Sequence, residues 1–322
     1  MPNISFEGKT YHCDEDKILL DSLAEHGVNI PFSCRGGACH ACLSKITKGT
    51  PPPASQMGLR DTLKAQNYFL PCICKPITDM TMAAKVQQPM SYAASVIEKS
   101  WLNANTLLLR LSKPAGFRYH AGQFINLMDE TGNLIRSYSL ASIQSDDFLE
   151  LHIKHVPDGK MSGWLCDSLK RGDDIAFVEA SGNCFYLDND KEQALLLAGA
   201  GTGLAPLYGI AREAIASGHQ GKIQLFHGAL AKEGLYYEDE LKALARQHAN
   251  FHYTACVLHG QAPEGGLQGS IDQLLKQHAG ELKGSRAYLC GDPGLVSSMQ
   301  QSVFCAGISM QEIYADAFTF TP

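Results

Sequence analysis

The stretch "SCRGGACHAC", residues 33–42, places three cysteines and two adjacent glycines within ten residues. Six of the chain's 11 cysteines lie in its first 74 residues, so the sulfur is concentrated near one end. In a reducing compartment such a concentration indicates metal or redox chemistry more often than disulfides. The first question is therefore which group this cysteine loop holds.

The spacing of the cysteines points to an iron–sulfur cluster. Cys34, Cys39 and Cys42 follow the pattern C-x4-C-x2-C, and Cys72 follows in "LPCICKP". This is the plant-type two-iron, two-sulfur pattern, in which one loop and one distant segment supply four thiolates. The segment Arg-Gly-Gly-Ala at residues 35–38 suits the loop, because glycine lets backbone N–H groups approach the bridging sulfides. We predict that these four cysteines are the cluster ligands.

Zinc is the main alternative, since the C-x2-C pair alone fits half of a zinc site. The other half would be Cys72 and Cys74, which are separated by one residue instead of the usual two or more. A Rieske centre needs two histidine ligands, and His40 has no matching second Cys-x-His. The sequence favours the two-iron cluster and predicts Cys13 and Cys74 as buried, small apolar residues.

Composition narrows the remaining possibilities. A chain of 322 residues with 45% hydrophobic content is long enough for two or three domains with cores of their own. The net charge of -6 is spread along the chain without a basic tract, which argues against nucleic acid as a partner. The sequence has no signal-peptide pattern and no apolar run of about 20 residues. We expect a cytoplasmic protein without a membrane partner, and a monomer as the simplest state.

The first 86 residues resemble a known domain. "ISFEGKTYHC", residues 4–13, predicts two strands around a Gly-Lys turn, and "DKILLDSLAEHG", residues 16–27, predicts a helix that ends at Gly27. With the cysteine spacing, residues 1–86 resemble the plant-type 2Fe-2S ferredoxin domain of bacterial oxygenase reductases. The resemblance implies an α+β, β-grasp fold. "KVQQPMSY", residues 85–92, is the predicted linker to the next domain.

Residues 92–188 have a different pattern, with short alternating strands punctuated by Gly, Pro and Asn, which predicts a small antiparallel β-barrel. Two motifs stand out: RSYS, which is Arg136, Ser137, Tyr138 and Ser139, and GKMS, which is Gly159, Lys160, Met161 and Ser162. The first offers a guanidinium, an aromatic ring and a hydroxyl, and the second precedes a predicted helix, "GWLCDSL", whose start favours an anion. Alone, each motif is a weak signal, because RSYS is more commonly a surface strand and GKMS is more commonly a helix cap.

In this order, the two motifs resemble the flavin domain of the ferredoxin–NADP reductase superfamily. The resemblance implies that Arg136 and residues 159–162 hold the FAD pyrophosphate. It implies that Tyr138 packs against the isoalloxazine and that Ser139 lies near its N5 edge. It also assigns part of the strand "FLELHIKHV" to cofactor binding, namely His152, Ile153 and Lys154.

The last third, residues 192–322, begins with a strand, a glycine turn and a helix in "ALLLAGAGTGLAPLYGIAREAI". Gly199, Gly201 and Gly203 form the pattern G-x-G-x-G, which is one residue shorter than the dinucleotide-binding fingerprint G-x-G-x-x-G. A plain strand-to-helix turn is the competing interpretation. The later stretches "KIQLFHGAL", "NFHYTACVL" and "RAYLCGDPG" predict buried strands that alternate with helices. Such alternation predicts an α/β domain with a parallel sheet and a ligand at the carboxyl ends of its strands.

This third resembles the superfamily's nicotinamide domain. The matching positions are the three loop glycines with Thr202, and the motif Cys290, Gly291, Asp292 and Pro293. The resemblance implies that Cys290 and Thr202 lie near the nicotinamide. "IYADAFTFTP", residues 313–322, resembles the end of naphthalene dioxygenase reductase-like chains, which implies that Asp316 and Phe318 lie near the flavin.

The sequence departs from its relatives at three places. Leu230 and Gly234 stand where relatives often have Arg and Asp, and four residues follow Phe318. The segments after the second and third strands of the last third offer only Lys232 for a 2′-phosphate on the adenosine ribose. NADH is therefore the predicted electron donor.

Together the three predicted sites form a route for electrons from NADH through FAD and a 2Fe-2S cluster. Ser139, Thr202, Cys290 and Asp316 are the predicted catalytic residues, because they would line the place where the nicotinamide meets the flavin. The sequence predicts a reductase component whose electron acceptor is an oxygenase or a separate ferredoxin. A reductase for another acceptor, such as a deoxysugar dehydratase, and a redox sensor without turnover are the alternatives.

Overall fold

The computed structural model describes residues 2–32, 35–37, 40, 42–84, 91–132, 134–277 and 282–318. The chain divides into two compact units, Met1–Pro89 and Met90–Pro322. The first unit contains the cysteine loop and one sheet, and the second contains two six-stranded sheets.

The first unit is built on a five-stranded mixed sheet in the order β2-β1-β5-β3-β4. Its strands are β1 Asn3–Phe6, β2 Lys9–His12, β3 Ser44–Lys48, β4 Tyr68–Phe69 and β5 Met80–Ala84. Helices α1, Leu19–Glu25, and α2, Asp61–Ala65, accompany it, and α1 buries Leu19, Leu20 and Leu23 in the core. This is the α+β ferredoxin fold that the sequence predicted.

The turn between β1 and β2 lies one residue earlier than the sequence predicted. The turn is made by Glu7 and Gly8, both with left-handed φ angles of 48° and 77°, and not by Gly8 and Lys9. Lys9 pairs with Phe6 as the first residue of β2. Two successive left-handed residues match the twist of the flanking strands, so the turn moves one residue towards β1.

The second unit begins with an antiparallel sheet in the order β10-β7-β6-β11-β8-β9, called here the flavin sheet. An isolated bridge between Leu140, the residue after β9, and Leu151, in the middle of β10, links its two edge strands. The strands are β6 Ser91–Asn103, β7 Thr106–Ser112, β8 Phe124–Met128, β9 Ile135–Ser139, β10 Phe148–Lys154 and β11 Asp174–Ser181. A short helix, α3 Lys160–Gly163, follows β10.

The start of β6 corrects the predicted linker. Residues 85–90 lie outside the described residues, but Ser91 and Tyr92 belong to β6. Tyr92 stacks on Phe177 at 5.5 Å and meets Phe117 edge-on at 4.9 Å. The aromatic contacts draw into the sheet a residue that composition alone assigned to a linker.

The second sheet of this unit, called the nucleotide sheet, is parallel throughout and has the order β15-β14-β13-β12-β16-β17. Its strands are β12 Leu195–Ala200, β13 Ile223–Ala229, β14 Phe251–Val257, β15 Leu267–Gln268, β16 Arg286–Gly291 and β17 Ile313–Ala317. Its helices are α4 Leu204–Ala216, α5 Glu238–Gln247, α6 Ile271–Gln277 and α7 Pro293–Cys305. The alternation of strand and helix confirms the predicted α/β architecture. Within the described ranges, no helix is long and apolar enough to cross a bilayer.

Candidate functional site

The described part of the cysteine loop has a backbone suited to an anionic group. Arg35, Gly37 and His40 have left-handed φ angles of 53°, 80° and 56°. Left-handed residues are typical of backbone turns whose N–H groups converge on an anion. An added Cβ on Gly37 would lie 2.9 Å from Cδ1 of Ile73, so glycine also lets the loop approach the Cys72 segment.

Two of the four predicted cluster ligands are described, and they lie together. Cys42 and Cys72 are buried, and the Cys42 sulfur accepts a hydrogen bond from the Cys72 backbone N–H. Burial, and then the neighbouring Cys72 thiol, raise the pKa of Cys42 to about 11. Cys34 and Cys39 lie outside the described residues. The paired sulfurs and the left-handed loop fit a cluster bound by thiolates.

Cys13 and Cys74 belong to the core of this unit, as predicted. Both are at most 1% exposed, and Leu19 donates its backbone N–H to the Cys74 carbonyl. Burial raises the pKa of Cys74 to about 12, in spite of a hydrogen bond with the Ser55 side chain. A zinc site that used Cys74 as a ligand would need this core thiol to turn outwards.

In the second unit the two sheets line one groove with a volume of ≈ 710 Å³, within the usual range for cofactor sites. The flavin sheet and the segment after it contribute most of the lining, and the nucleotide sheet contributes the rest. The predicted site residues in this lining are Arg136, Ser137, Tyr138, Ser139, His152, Lys154, Gly159, Lys160, Met161, Ser162, Thr202, Asp316 and Phe318.

Strand β9 presents the RSYS motif to the groove. Arg136 is half-buried, and Tyr138 packs against the core of the flavin sheet, where burial raises its pKa above the ordinary value. Ser139, 8% exposed, ends the strand beside the nucleotide sheet. The motif therefore offers a cation, an aromatic ring and a hydroxyl in succession along one wall.

The GKMS motif forms a tight turn at the other end of the groove. An added Cβ on Gly159 would lie 2.5 Å from Oγ of Ser162, so this position has no space for a side chain. The Ser162 hydroxyl accepts from the Val156 backbone N–H at 3.1 Å, so it closes the turn rather than extending into the groove. The helix begins earlier than predicted, because Lys160–Gly163 of the motif itself forms α3, and the predicted segment "GWLCDSL" continues it as a π-helix over Trp164–Ser168.

The glycine loop, residues 199–203, is shaped by close backbone approach. Added Cβ atoms on Gly199 and Gly203 would lie 2.6 and 2.5 Å from the carbonyl oxygen of Cys290. Gly201 has a left-handed φ of 56° and nothing within 4 Å of an added Cβ. The loop thus passes directly over the end of β16, and its outer side stays open beside Thr202, as a dinucleotide requires.

Asp316 connects the two sheets at the groove. Register places it beside Cys290, and its Oδ2 lies 3.3 Å from Oγ of Ser139 on β9. Burial raises the pKa of Asp316 to about 6, although the hydrogen bond with Ser139 lowers it. Phe318 follows two residues later and donates its backbone N–H to the Gly291 carbonyl at 2.8 Å. A carboxyl that titrates near neutrality therefore faces the groove.

Several predicted site residues lie beside the groove instead of lining it. Ile153 points into the core of the flavin sheet. The Asp292 carboxylate caps α7 by accepting from Gly294 N at 2.9 Å, and Pro293 begins that helix. Cys290 is fully buried, with its Sγ 3.8 Å from that of Cys184.

Sequence reasoning missed Cys184 and a buried group around Glu150 and Tyr236. No local spacing marks these residues, because their partners lie up to 106 positions away. Only the adjacent tyrosines of "LYYEDEL" in this group form a visible sequence signal.

Family models match all three parts of the chain. A 2Fe-2S iron-sulfur cluster binding domain matches residues 3–76, an oxidoreductase FAD-binding domain matches 93–186, and an oxidoreductase NAD-binding domain matches 197–301. Together with the paired thiols, the groove and the glycine loop, these matches define an iron–sulfur flavoprotein that uses a 2Fe-2S cluster, FAD and NADH. The zinc alternative is thereby excluded.

Known relatives extend over the whole chain. The reductase component of the naphthalene 1,2-dioxygenase system of Pseudomonas putida, named a ferredoxin–NAD(P)+ reductase, is 30% identical, with 93% of each chain covered. The Amycolatopsis cytochrome P450 reductase GcoB superposes with a TM-score of 0.67 at 26% identity, with 99% of each chain covered. The ferredoxin reductase in carbazole 1,9a-dioxygenase gives 0.65 at 25% identity, with 99% of this chain and 98% of that chain covered. The chain belongs to the ferredoxin–NADP reductase superfamily, in its branch of oxygenase reductases with an amino-terminal ferredoxin domain.

Proposed function

We propose that this chain is the reductase component of an oxygenase system, which oxidises NADH and passes single electrons to an oxygenase or to a separate ferredoxin. The observation that carries the proposal is the shared groove, in which Thr202, Asp316 and Phe318 of the nucleotide sheet face the RSYS strand of the flavin sheet. The flavin supplies two-electron acceptance with one-electron release, and the cluster supplies one-electron transfer.

The chain's own residues bind and orient the reactants. Arg136, Lys154 and Lys160 supply positive charge for a pyrophosphate, and the tight turn at Gly159 lets backbone approach it. Tyr138 packs against the flavin ring. These roles are supported by the common lining of one groove.

Catalysis depends on where the nicotinamide meets the flavin. We assign Ser139, Thr202, Cys290 and Asp316 to this place, with Cys290 held behind the glycine loop by its buried position. Below about pH 6 the Asp316 carboxyl holds a proton within hydrogen-bond distance of Ser139 Oγ. The residues orient the reactants and polarise the site, and none acts as a nucleophile.

We further propose the organisation of the chain and its setting. The limits are residues 1–86 for the ferredoxin domain, 92–188 for the FAD-binding domain and 192–322 for the NAD-binding domain. Cys34, Cys39, Cys42 and Cys72 bind the cluster. The protein acts as a cytoplasmic monomer, a setting in which the buried thiols of the described residues stay reduced.

Anaerobic purification followed by spectroscopy and kinetics tests the function. The expected protein is coloured, with flavin and iron–sulfur absorption bands, and NADH bleaches both. It should reduce cytochrome c with NADH in steady state. Addition of the cognate oxygenase, together with its separate ferredoxin where the system has one, should produce oxygen-dependent oxidation of the oxygenase substrate. A colourless protein would contradict the proposal, and a coloured protein with negligible turnover would be a redox sensor instead.

A further inference from the structure

A buried carboxylate in the flavin sheet is the centre of a hydrogen-bond network that the function above does not use. Glu150 on β10 is 1% exposed. Its carboxylate accepts from Nε of Arg110 at 2.7 Å, from Nε2 of His152 at 3.1 Å and from the Tyr237 hydroxyl at 3.0 Å. Such complete pairing is what a buried charge requires.

The protonation of Glu150 fixes the direction of its hydrogen bonds. Burial alone would raise its pKa, but hydrogen bonds with and charges of His152 and Arg110 lower it to about 2. At neutral pH the carboxylate can only accept, so His152 carries a hydrogen on Nε2. The other ring nitrogen, Nδ1, lies 3.1 Å from the Tyr236 hydroxyl. A tyrosine hydroxyl has one hydrogen, so Tyr236 can donate to another acceptor only if Nδ1 also donates, which pairs an imidazolium with the Glu150 carboxylate.

Tyr236 carries the network across to the nucleotide sheet. It follows β13, and its hydroxyl lies 3.4 Å from the carbonyl oxygen of Gly201, towards which it donates. The next residue, Tyr237, has a left-handed φ of 57°, an outlier for a bulky side chain. This conformation brings both tyrosine rings edge-on to His152, at 5.2 and 5.1 Å. Local backbone strain of this kind persists only when surrounding contacts hold it in place.

A second histidine ring, which is neutral, also packs against Tyr236. His227 on β13 is fully buried, and burial lowers its pKa to about 3. Its ring meets that of Tyr236 at 5.3 Å, and neither of its nitrogens has a hydrogen-bond partner among the described residues. His227 therefore supports the tyrosine ring without competing for its hydroxyl.

The Gly201 carbonyl is an effective place to hold the glycine loop. Gly201 has no side chain of its own, and nothing lies within 4 Å of an added Cβ, so packing at Cα does not fix its peptide plane. Its oxygen accepts from Leu204 N–H inside the turn and faces the Tyr236 hydroxyl outside it. Because a trans peptide is planar, the direction of this oxygen also sets the direction of the Thr202 N–H, and Thr202 lines the groove.

We propose that His152 and Tyr236 are positioning residues for hydride transfer, which hold the Gly201–Thr202 peptide of the nucleotide sheet in register with the flavin sheet. The inference rests on the proposed function, since it names residues that act on that same site through the glycine loop. Tyr236 reaches no reactant and acts only through Gly201.

Tyr236→Phe is the direct test, because it removes one hydroxyl and keeps the ring. Tyr253→Phe is the matched control: its hydroxyl is also buried in the nucleotide sheet, and it has no hydrogen-bond partner among the described residues. In protein without NADH, amide hydrogen exchange at residues 199–205 should be about fivefold faster in Y236F, the equivalent of ~1 kcal/mol. Y253F should exchange as the wild type does.

Anaerobic single-turnover reduction of the bound flavin supplies the second measurement. In Y236F the limiting rate should fall about tenfold, while the Kd for NADH changes less than about threefold, since orientation is lost rather than binding. The double variant H152Q/Y236F should be about as slow as the slower single variant, because both residues act through one chain of hydrogen bonds.

The outcomes separate the inference from the function beneath it. The positioning role is overturned if Y236F leaves both the amide exchange of residues 199–205 and the limiting rate of flavin reduction unchanged. It is also overturned if the rate losses of H152Q and Y236F multiply in the double variant. A wild-type flavin that NADH does not reduce overturns the proposed function, whereas the exchange measurement still decides whether Tyr236 holds the loop.

Discussion

The cysteine loop of the first unit and the groove of the second unit offer a cofactor different parts of the polypeptide. In the first unit the proposed ligands are side-chain sulfur atoms, and Cys42 of the cysteine loop lies together with the more distant Cys72, both with buried thiols. In the groove the decisive features are backbone approach, as at Gly159 and Gly203, and a few polar groups drawn from distant strands.

The difference determines how each site fails. A covalently ligated cluster depends on four atoms, so the loss of one of them is an all-or-none event. A site shaped by backbone and surface contacts distributes its binding over many groups, and single side-chain changes reduce it by degrees. Substitutions at the two sites should therefore differ in the size of the effect and also in which partial reaction survives.

The largest effect is expected for Cys72→Ser. Loss of one thiolate should remove the cluster bands from the absorption spectrum and stop reduction of cytochrome c. NADH should still reduce the flavin, because the groove lies in the other unit. Cys74→Ser is the control: it alters a core thiol two positions away, and iron content per chain should stay near that of the wild type. Equal iron loss in both variants would contradict the ligand assignment.

The next effect is expected for Gly203→Ala. The added Cβ would lie 2.5 Å from a backbone oxygen, so the glycine loop must shift away from β16. The limiting rate of flavin reduction by NADH should fall about a hundredfold. The cluster bands should stay unchanged, which is the reverse of the Cys72→Ser pattern.

Gly218→Ala is the matched control for that change. Gly218 has a left-handed φ of 77° with nothing within 4 Å of an added Cβ, so alanine costs about 1–2 kcal/mol of stability through backbone strain. Thermal unfolding should show comparable destabilisation of the two variants, whereas only Gly203→Ala slows hydride transfer. A similar rate loss in both would assign the effect to stability.

A smaller effect, defined by its pH dependence, is expected for Asp316→Asn. With the pKa of Asp316 at about 6, the rate of flavin reduction should have an inflection near pH 6 that the asparagine variant lacks. The rate itself should change about tenfold, less than the roughly 10²–10⁴-fold typical of a general acid or base, because Asp316 orients and polarises the site without transferring the hydride. A wild-type inflection that persists in the variant would exclude Asp316 as its source.

The same carboxyl makes a prediction about stability. The folded pKa of Asp316 is higher than its ordinary value of 3.8, so the folded state retains a proton that the unfolded state has released. Its contribution to stability is therefore full below pH 3.8 and decreases as the pH rises to about 6. In denaturant unfolding between pH 4 and 7, the wild type should lose more stability with rising pH than Asp316→Asn.

The sequence predicted the cysteine loop and most of the groove because their signals are local. Four thiols at fixed spacing identify a cluster whatever the surrounding fold, and RSYS keeps its alternating side chains on one strand. The Tyr236–Gly201 contact carries no such signal, because it joins a loop after β13 to a turn 35 positions earlier. Pairings of that kind follow from the packing of the two sheets and not from the spacing of residues.

The sequence also could not predict which of several possible hydrogen-bond partners a polar side chain takes. The carboxylate of Asp292 fits both a cofactor site and a helix cap, and the helix α7 that begins next to it uses it as a cap. The hydroxyl of Ser162 similarly serves the Val156 backbone. In each case the polar side chain accepts a hydrogen bond from a nearby backbone N–H group, although the motif alone would assign that side chain to a ligand.

The smallest effect is expected at the carboxyl-terminal edge of the nucleotide sheet. Leu230, 72% exposed, follows the end of β13, where a positive charge would meet the 2′-phosphate of NADPH. Leu230→Arg should raise kcat/KM for NADPH about fivefold, or ~1 kcal/mol, because an exposed ion pair gains little in water. NADH kinetics should stay nearly constant, and Met310→Arg, at a position 52% exposed on another turn, should leave both cofactors unaffected. An equal gain from both arginines would show that overall charge, and not a ribose-side contact, governs the choice of dinucleotide.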